Sequence, residues 1–154
     1  MTDRPIDPDS DLHVPAQRAE VSGHVLAVIA AGGALGALAR HGVQTAMPAG
    51  PADFPWATFW INVSGCLLIG VLMVVITEVR RAHRLVRPFL GVGVLGGYTT
   101  FSTYADGVRQ TVEAGAPVTG LAYLAGTLLA ALAAVVAGMW LTRRIAGVAR
   151  AGAK

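Results

Sequence analysis

Apolar residues run through this chain in four long blocks separated by short polar stretches, and the blocks lack the two-residue alternation of half-buried strands. About 20 apolar residues cross a bilayer as a helix, so the pattern predicts four transmembrane helices with little besides. The first block runs from about His24 to Ala46, the second from Trp56 to Thr77, and the fourth from Val118 to Leu141. The third starts at Pro88, an acceptable first-turn residue, and reads PFLGVGVLGGYTTFSTYADGV. Between the blocks, MPAGPADFP is a breaker with three prolines and a glycine, and EVRRAHRLVR is strongly basic.

Two blocks carry special features. In the first, Gly32 and Gly36 are four apart, a spacing that lets two helices approach closely in lipid. In the third, Gly96 and Gly97 precede Tyr98, Thr99, Thr100, Phe101, Ser102, Thr103 and Tyr104. Paired glycines and β-branched threonines make a poor continuous helix. A break in mid-membrane is expected there, tolerated only where protein or a hydrated cavity satisfies the freed backbone.

Composition agrees with the pattern. The 154 residues are 54% hydrophobic and 14% charged, against about a quarter charged in a soluble domain. The expected class is an all-α integral membrane protein with one four-helix domain over residues 23–142. Residues 1–22 are polar and aspartate-rich, and are expected to form a disordered tail. The tail is acidic where a signal peptide has a basic n-region, so no signal peptide is expected. Residues 143–154 form a short basic tail.

The pI near 9.6 does not imply nucleic acid, because the basic residues sit between and after apolar blocks. It speaks instead to orientation. Ten of the twelve Lys and Arg residues fall on the side holding both termini and the middle loop; Arg40 and Arg109 are the exceptions. The positive-inside rule places both termini in the cytoplasm. Cys66, the single cysteine, lies in an apolar run and reads as a packing residue.

A few polar residues interrupt the apolar blocks. Arg40 either snorkels to an interface or stands in an aqueous vestibule that attracts anions. Asn62, four residues after Thr58, either bonds a neighbouring helix or offers its amide to an anion. Phe101 and Tyr104, three apart, share a helix face, and the hydroxyls around them favour function over plain packing. Tyr123 and Thr127 are four apart on one face, where Thr127 could also bond its own helix. The first, second and fourth blocks hold no Asp or Glu, and Asp106 is the only candidate in the third. The four histidines are scattered, and no nucleophile–base pairing, phosphate loop or dinucleotide motif occurs. An enzyme is not expected.

Three stretches in order, GGALGALARHG, WATFWINVSGCLLIG and GVGVLGGYTTFSTYADGV, resemble the Fluc/CrcB family of small fluoride channels over about residues 27–141. The double-glycine TTFST core is the most specific of them. The resemblance implies a passive, fluoride-selective channel in the cytoplasmic membrane, built as an antiparallel dimer with two pores. Asn62, Phe101, Tyr104, Tyr123 and Thr127 match its pore positions, Ser102 and Thr103 add hydroxyls, and Arg40 matches its vestibule arginine. It also implies a structural Na+ at the dimer interface, held by the carbonyls of Gly96 and Thr99. Two positions depart from the family pattern: Tyr104 replaces a phenylalanine and Thr127 a serine.

An antiparallel homodimer needs both insertions of one chain, which requires a weak charge bias. With ten basic residues against two, a heterodimer with an oppositely oriented homologue is the favoured expectation, and a homodimer the alternative. A proton-coupled multidrug exporter would need an acidic residue early in the first block, which has none. A non-conducting assembly subunit would leave the broken third block unexplained.

Overall fold

The computed structural model describes residues 23–79 and 83–147. The tail expected at 1–22 and residues 148–154 lie outside it. All elements among the described residues are helical. They are α1 (Gly23–Ala46), α2 (Trp56–Val79), α3 (87–98), α4 (Ser102–Glu113) and α5 (Pro117–Ala146). Three of them, α1, α2 and α5, are long and apolar enough to cross a membrane.

The third apolar block forms two shorter helices instead of one long one. The chain leaves the helical region at Thr99 (φ −75°, ψ 159°) and re-enters it at Phe101 (φ −88°, ψ −37°). At 12 residues, α4 rises about 18 Å and cannot cross a core of about 30 Å alone. Within α3, Arg87–Leu95 winds with the wider π-type turn, as does Val75–Val79 at the end of α2. The apolar pattern gave no sign of this winding.

Glycines decide which helices touch. A Cβ at Gly32 would stand 2.6 Å from the Phe89 carbonyl oxygen, and one at Gly93 would stand 2.9 Å from that of Ile29. A Cβ at Gly36 would overlap the Val94 carbonyl, and one at Gly97 that of Gly33. Thus α1 and α3 run parallel in backbone contact. Gly70 meets Val135 and Gly138 meets Leu67 in the same way, so α2 and α5 are also in backbone contact, and they run parallel, with Thr58 beside Tyr123 toward their starts and Glu78 against Arg143 toward their ends. Arg143 donates twice to the Glu78 carboxylate, at 2.6 Å (Nη2) and 2.9 Å (Nε), and ties the ends of that pair.

These contacts fix the direction of the interrupted segment. Its start lies beside Val25 at the beginning of α1, while Gly107 of α4 packs on Pro55 at the beginning of α2. Residues 87–113 therefore run from one end of the bundle to the other. Gly115 (φ 83°) turns the chain into α5, with Pro117 in the first helical turn.

The buried core is small and the apolar surface large. Val118, Leu128, Leu132 and Val136 of α5 are more than half exposed, as suits a surface solvated by lipid rather than water.

Candidate functional site

The interruption at 99–101 is built from α2. Asn62 Nδ2 donates to the Thr100 carbonyl at 3.1 Å, and the Thr100 N–H donates to Asn62 Oδ1 at 3.0 Å. The side-chain amide thereby replaces the helical partners that Thr100 lost. One of its two N–H donors is used here, leaving the other. A turn earlier on the same helix face is Thr58, which is buried.

The neighbouring residues complete the frame. Thr99 directs both its N–H and its hydroxyl to the Leu95 carbonyl, each at 2.9 Å. Arg40 reaches from α1 to place Nη1 3.4 Å from the Thr99 carbonyl oxygen. At the start of α4, Thr100 Oγ1 accepts the Thr103 N–H at 3.2 Å and donates to the Thr103 hydroxyl at 3.2 Å, with the Ser102 hydroxyl at 3.3 Å. On the other side, the Tyr98 hydroxyl lies 3.0 Å from Ser64 Oγ, which itself donates to the Trp60 carbonyl. Gly65 leaves room for Thr99 to pack against α2.

An aromatic column continues from the break. Phe101 is 79% exposed and stands out from the bundle. Its ring lies 5.8 Å from that of Tyr104. Tyr104 is buried and donates its hydroxyl to the Leu124 carbonyl. Tyr104 and Tyr123 meet at 5.3 Å and 64°, and Tyr123 and Phe54 at 5.3 Å and 82°, both edge-to-face. Such pairs point ring edges, which carry partial positive charge, at a neighbouring π-face.

Tyr123 is 0% exposed and Thr127 3%. Neither hydroxyl has a hydrogen-bond partner among the described residues. Thr58 stands beside Tyr123 and also lines a polar cavity of about 150 Å³ shared with Thr103, Asp106, Gln110 and the loop at 49–55. Asp106 is engaged by Arg109 at 2.8 Å, which also holds Glu113 at 2.6 Å.

The structure thus groups Arg40, Asn62, Thr99, Ser102 and Thr103 around the break, and Phe101, Tyr104 and Tyr123 along the column, with Thr127 one helical turn after Tyr123 in α5. Gly96 is exposed and its Cβ position is open. Gly32 and Gly36 lie outside both groups, in the α1–α3 contact. Sequence reasoning gave no site role to Thr58, Tyr98, Ser64 or Phe54. The four-residue spacing from Thr58 to Asn62 was a usable signal for the first; for Phe54, a loop residue, there was none.

The family model described as "CrcB-like protein, Camphor Resistance (CrcB)" matches residues 27–139. The Fluoride-specific ion channel FluC 2 of Nocardia farcinica is 51% identical over 139 residues, 90% of this chain and 99% of that relative. The Fluoride-specific ion channel FluC 1 of Streptomyces coelicolor is 58% identical over 121 residues, 79% of each chain. The Fluoride-specific ion channel FluC 2 of Thermobifida fusca is 52% identical over 113 residues, 73% of this chain and 84% of that relative.

Proposed function

This chain belongs to the CrcB-like protein family, and on that premise we propose that it is a fluoride-selective channel, through which the toxic anion leaves the cytoplasm passively. It acts as a channel subunit, not an enzyme.

The observation that carries the proposal is the pair of buried hydroxyls on Tyr123 and Thr127, neither of which makes a hydrogen bond of normal geometry among the described residues. Each costs on the order of 1–3 kcal/mol when left unsatisfied. Fluoride is small and strongly hydrated, and a dry passage must replace its water with donors such as these. The approach runs from the polar cavity past Thr58 to Tyr123. At the break, the second N–H of Asn62 and the hydroxyls of Ser102 and Thr103 add donors, and ring edges of Phe101 and Tyr104 add partial positive charge. Arg40 raises the local anion concentration.

In this reading α3 and α4 together make the fourth crossing, as one broken span. Their end-to-end course, α3 beside α1 and α4 beside α5, supports it. The exposure of Phe101 supports a second subunit across the break, packed antiparallel so that two pores line the interface. The charge bias favours a heterodimer with an oppositely oriented homologue over a homodimer, with both termini of this chain in the cytoplasm and the assembly in the plasma membrane.

A resident Na+ fits the donor set. Of the Gly96 and Thr99 carbonyls, the latter accepts one contact, from Arg40 Nη1 at 3.4 Å, which leaves its second lone pair. These two carbonyls would hold the ion, which supplies a fixed charge at the interface.

The test is fluoride efflux from liposomes containing this chain alone, with chloride efflux and the Phe101→Ile variant as controls. Fluoride-only efflux lost in the variant supports the channel and overturns the obligate heterodimer. No efflux from folded protein, restored by an oppositely oriented homologue, supports the heterodimer. No efflux in either case overturns the channel reading for this subunit.

A further inference from the structure

The basic end of the α1–α3 pair carries a cavity that the channel reading leaves unused. It measures about 560 Å³ and has two kinds of wall. Val25, Ile29 and Val92 provide an apolar floor, and Arg84 and Arg87 stand at its rim beside Pro88. Both arginines are exposed, and neither makes an ion pair among the described residues. Glu78, the acidic side chain described nearest to them in sequence, is already taken by Arg143. A second, apolar groove between Val28 and Phe89 adjoins the first across Leu85.

We propose that this cavity binds an anionic phospholipid of the leaflet on the basic side, with the phosphate between Arg84 and Arg87 and an acyl chain along Val25, Ile29 and Val92. The amphiphilic lining selects the occupant. A free phosphate would match the two guanidiniums but leave the floor uncovered, and a neutral lipid would match the floor but leave both charges without a partner among the described residues. The position is suitable, since both helices begin here, at one end of their apolar stretches. Juxtamembrane Lys and Arg attract anionic lipid with a gain of about fivefold in affinity each.

The experiment uses the full chain extracted from vesicles of equal phosphatidylcholine and phosphatidylglycerol, with the retained lipid counted by mass spectrometry. The expected retention favours phosphatidylglycerol roughly 25-fold over phosphatidylcholine. It falls to near parity in the Arg84→Gln/Arg87→Gln double variant, and inorganic phosphate added in excess does not displace the lipid. In Ile29→Trp, which fills the floor and keeps both arginines, retention of phosphatidylglycerol also falls. Equal retention of the two lipids, unchanged selectivity in the double variant, or full retention in Ile29→Trp overturns the proposal. Displacement by free phosphate assigns the rim to a soluble anion and overturns it too. Disulfide-linked dimers formed through an Ile29→Cys variant would put a second subunit over the cavity, with the same consequence. None of these readouts depends on ion flux, so the outcome is independent of the channel reading.

Discussion

Asn62 and Thr100 exchange two hydrogen bonds, of 3.1 and 3.0 Å, so that an amide side chain on α2 pairs with the peptide groups where the helix is interrupted. Asn62→Leu leaves a donor and an acceptor of Thr100 unsatisfied, at about 1–3 kcal/mol each. The expected result is a lower thermal midpoint in detergent together with lost fluoride efflux. Asn62→Asp retains an acceptor for the Thr100 N–H and loses the donor to its carbonyl, and should fall between the two. A variant that keeps the wild-type midpoint would show that the pair does not hold the break.

Tyr123→Phe and Thr127→Val should separate stability from conduction. Both remove a buried hydroxyl that makes no hydrogen bond of normal geometry among the described residues, so the thermal midpoint should hold or rise. A hydrogen bond to a charged group contributes about 1.5–3 kcal/mol, so fluoride flux should drop roughly tenfold to hundredfold for each. Unchanged flux would remove these hydroxyls from the conduction path.

Phe101→Ile should fold normally, because the ring is 79% exposed in the subunit. Flux should fall, while the recovery of folded protein should not. A loss of dimer at unchanged monomer stability would instead make Phe101 a packing residue of the interface.

Gly36→Ala and Gly97→Ala should each prevent recovery of folded protein or cost well over a typical overpacking penalty of about 1–3 kcal/mol. In both, the new methyl meets backbone, which cannot rotate away. Gly42→Ala is the control, since nothing lies within 4 Å of its Cβ position. Similar midpoints for the three would contradict the close approach of α1 and α3.

Much of the helical frame was readable in the apolar blocks, because a lipid-facing helix announces itself by length and hydropathy alone. The second and fourth blocks, read from about Trp56 and Val118, begin at Trp56 and Pro117, and the chain interrupts after Gly96–Gly97, at 99–101, where proline, glycine and threonine chemistry acts locally. What remained hidden depends on distant partners. Nothing near Thr100 says that its peptide groups will be met by a residue 38 positions earlier. Nothing in the loop marks Phe54 as the far end of an aromatic column. For Asn62 the sequence left two roles open, and one amide has room for both: one N–H and the carbonyl oxygen are committed to the backbone, and one N–H is left.

The contact between α1 and α3 has a mechanical consequence. Where two helices meet through side chains, rotamers can change and the pair can slide by small steps. Here peptide groups meet peptide groups around Gly32, Gly36, Gly93 and Gly97, and a shift of one residue would drive a neighbouring Cβ into a carbonyl. The pair is a rigid beam with one register, and any movement of the subunit must carry both helices as a unit.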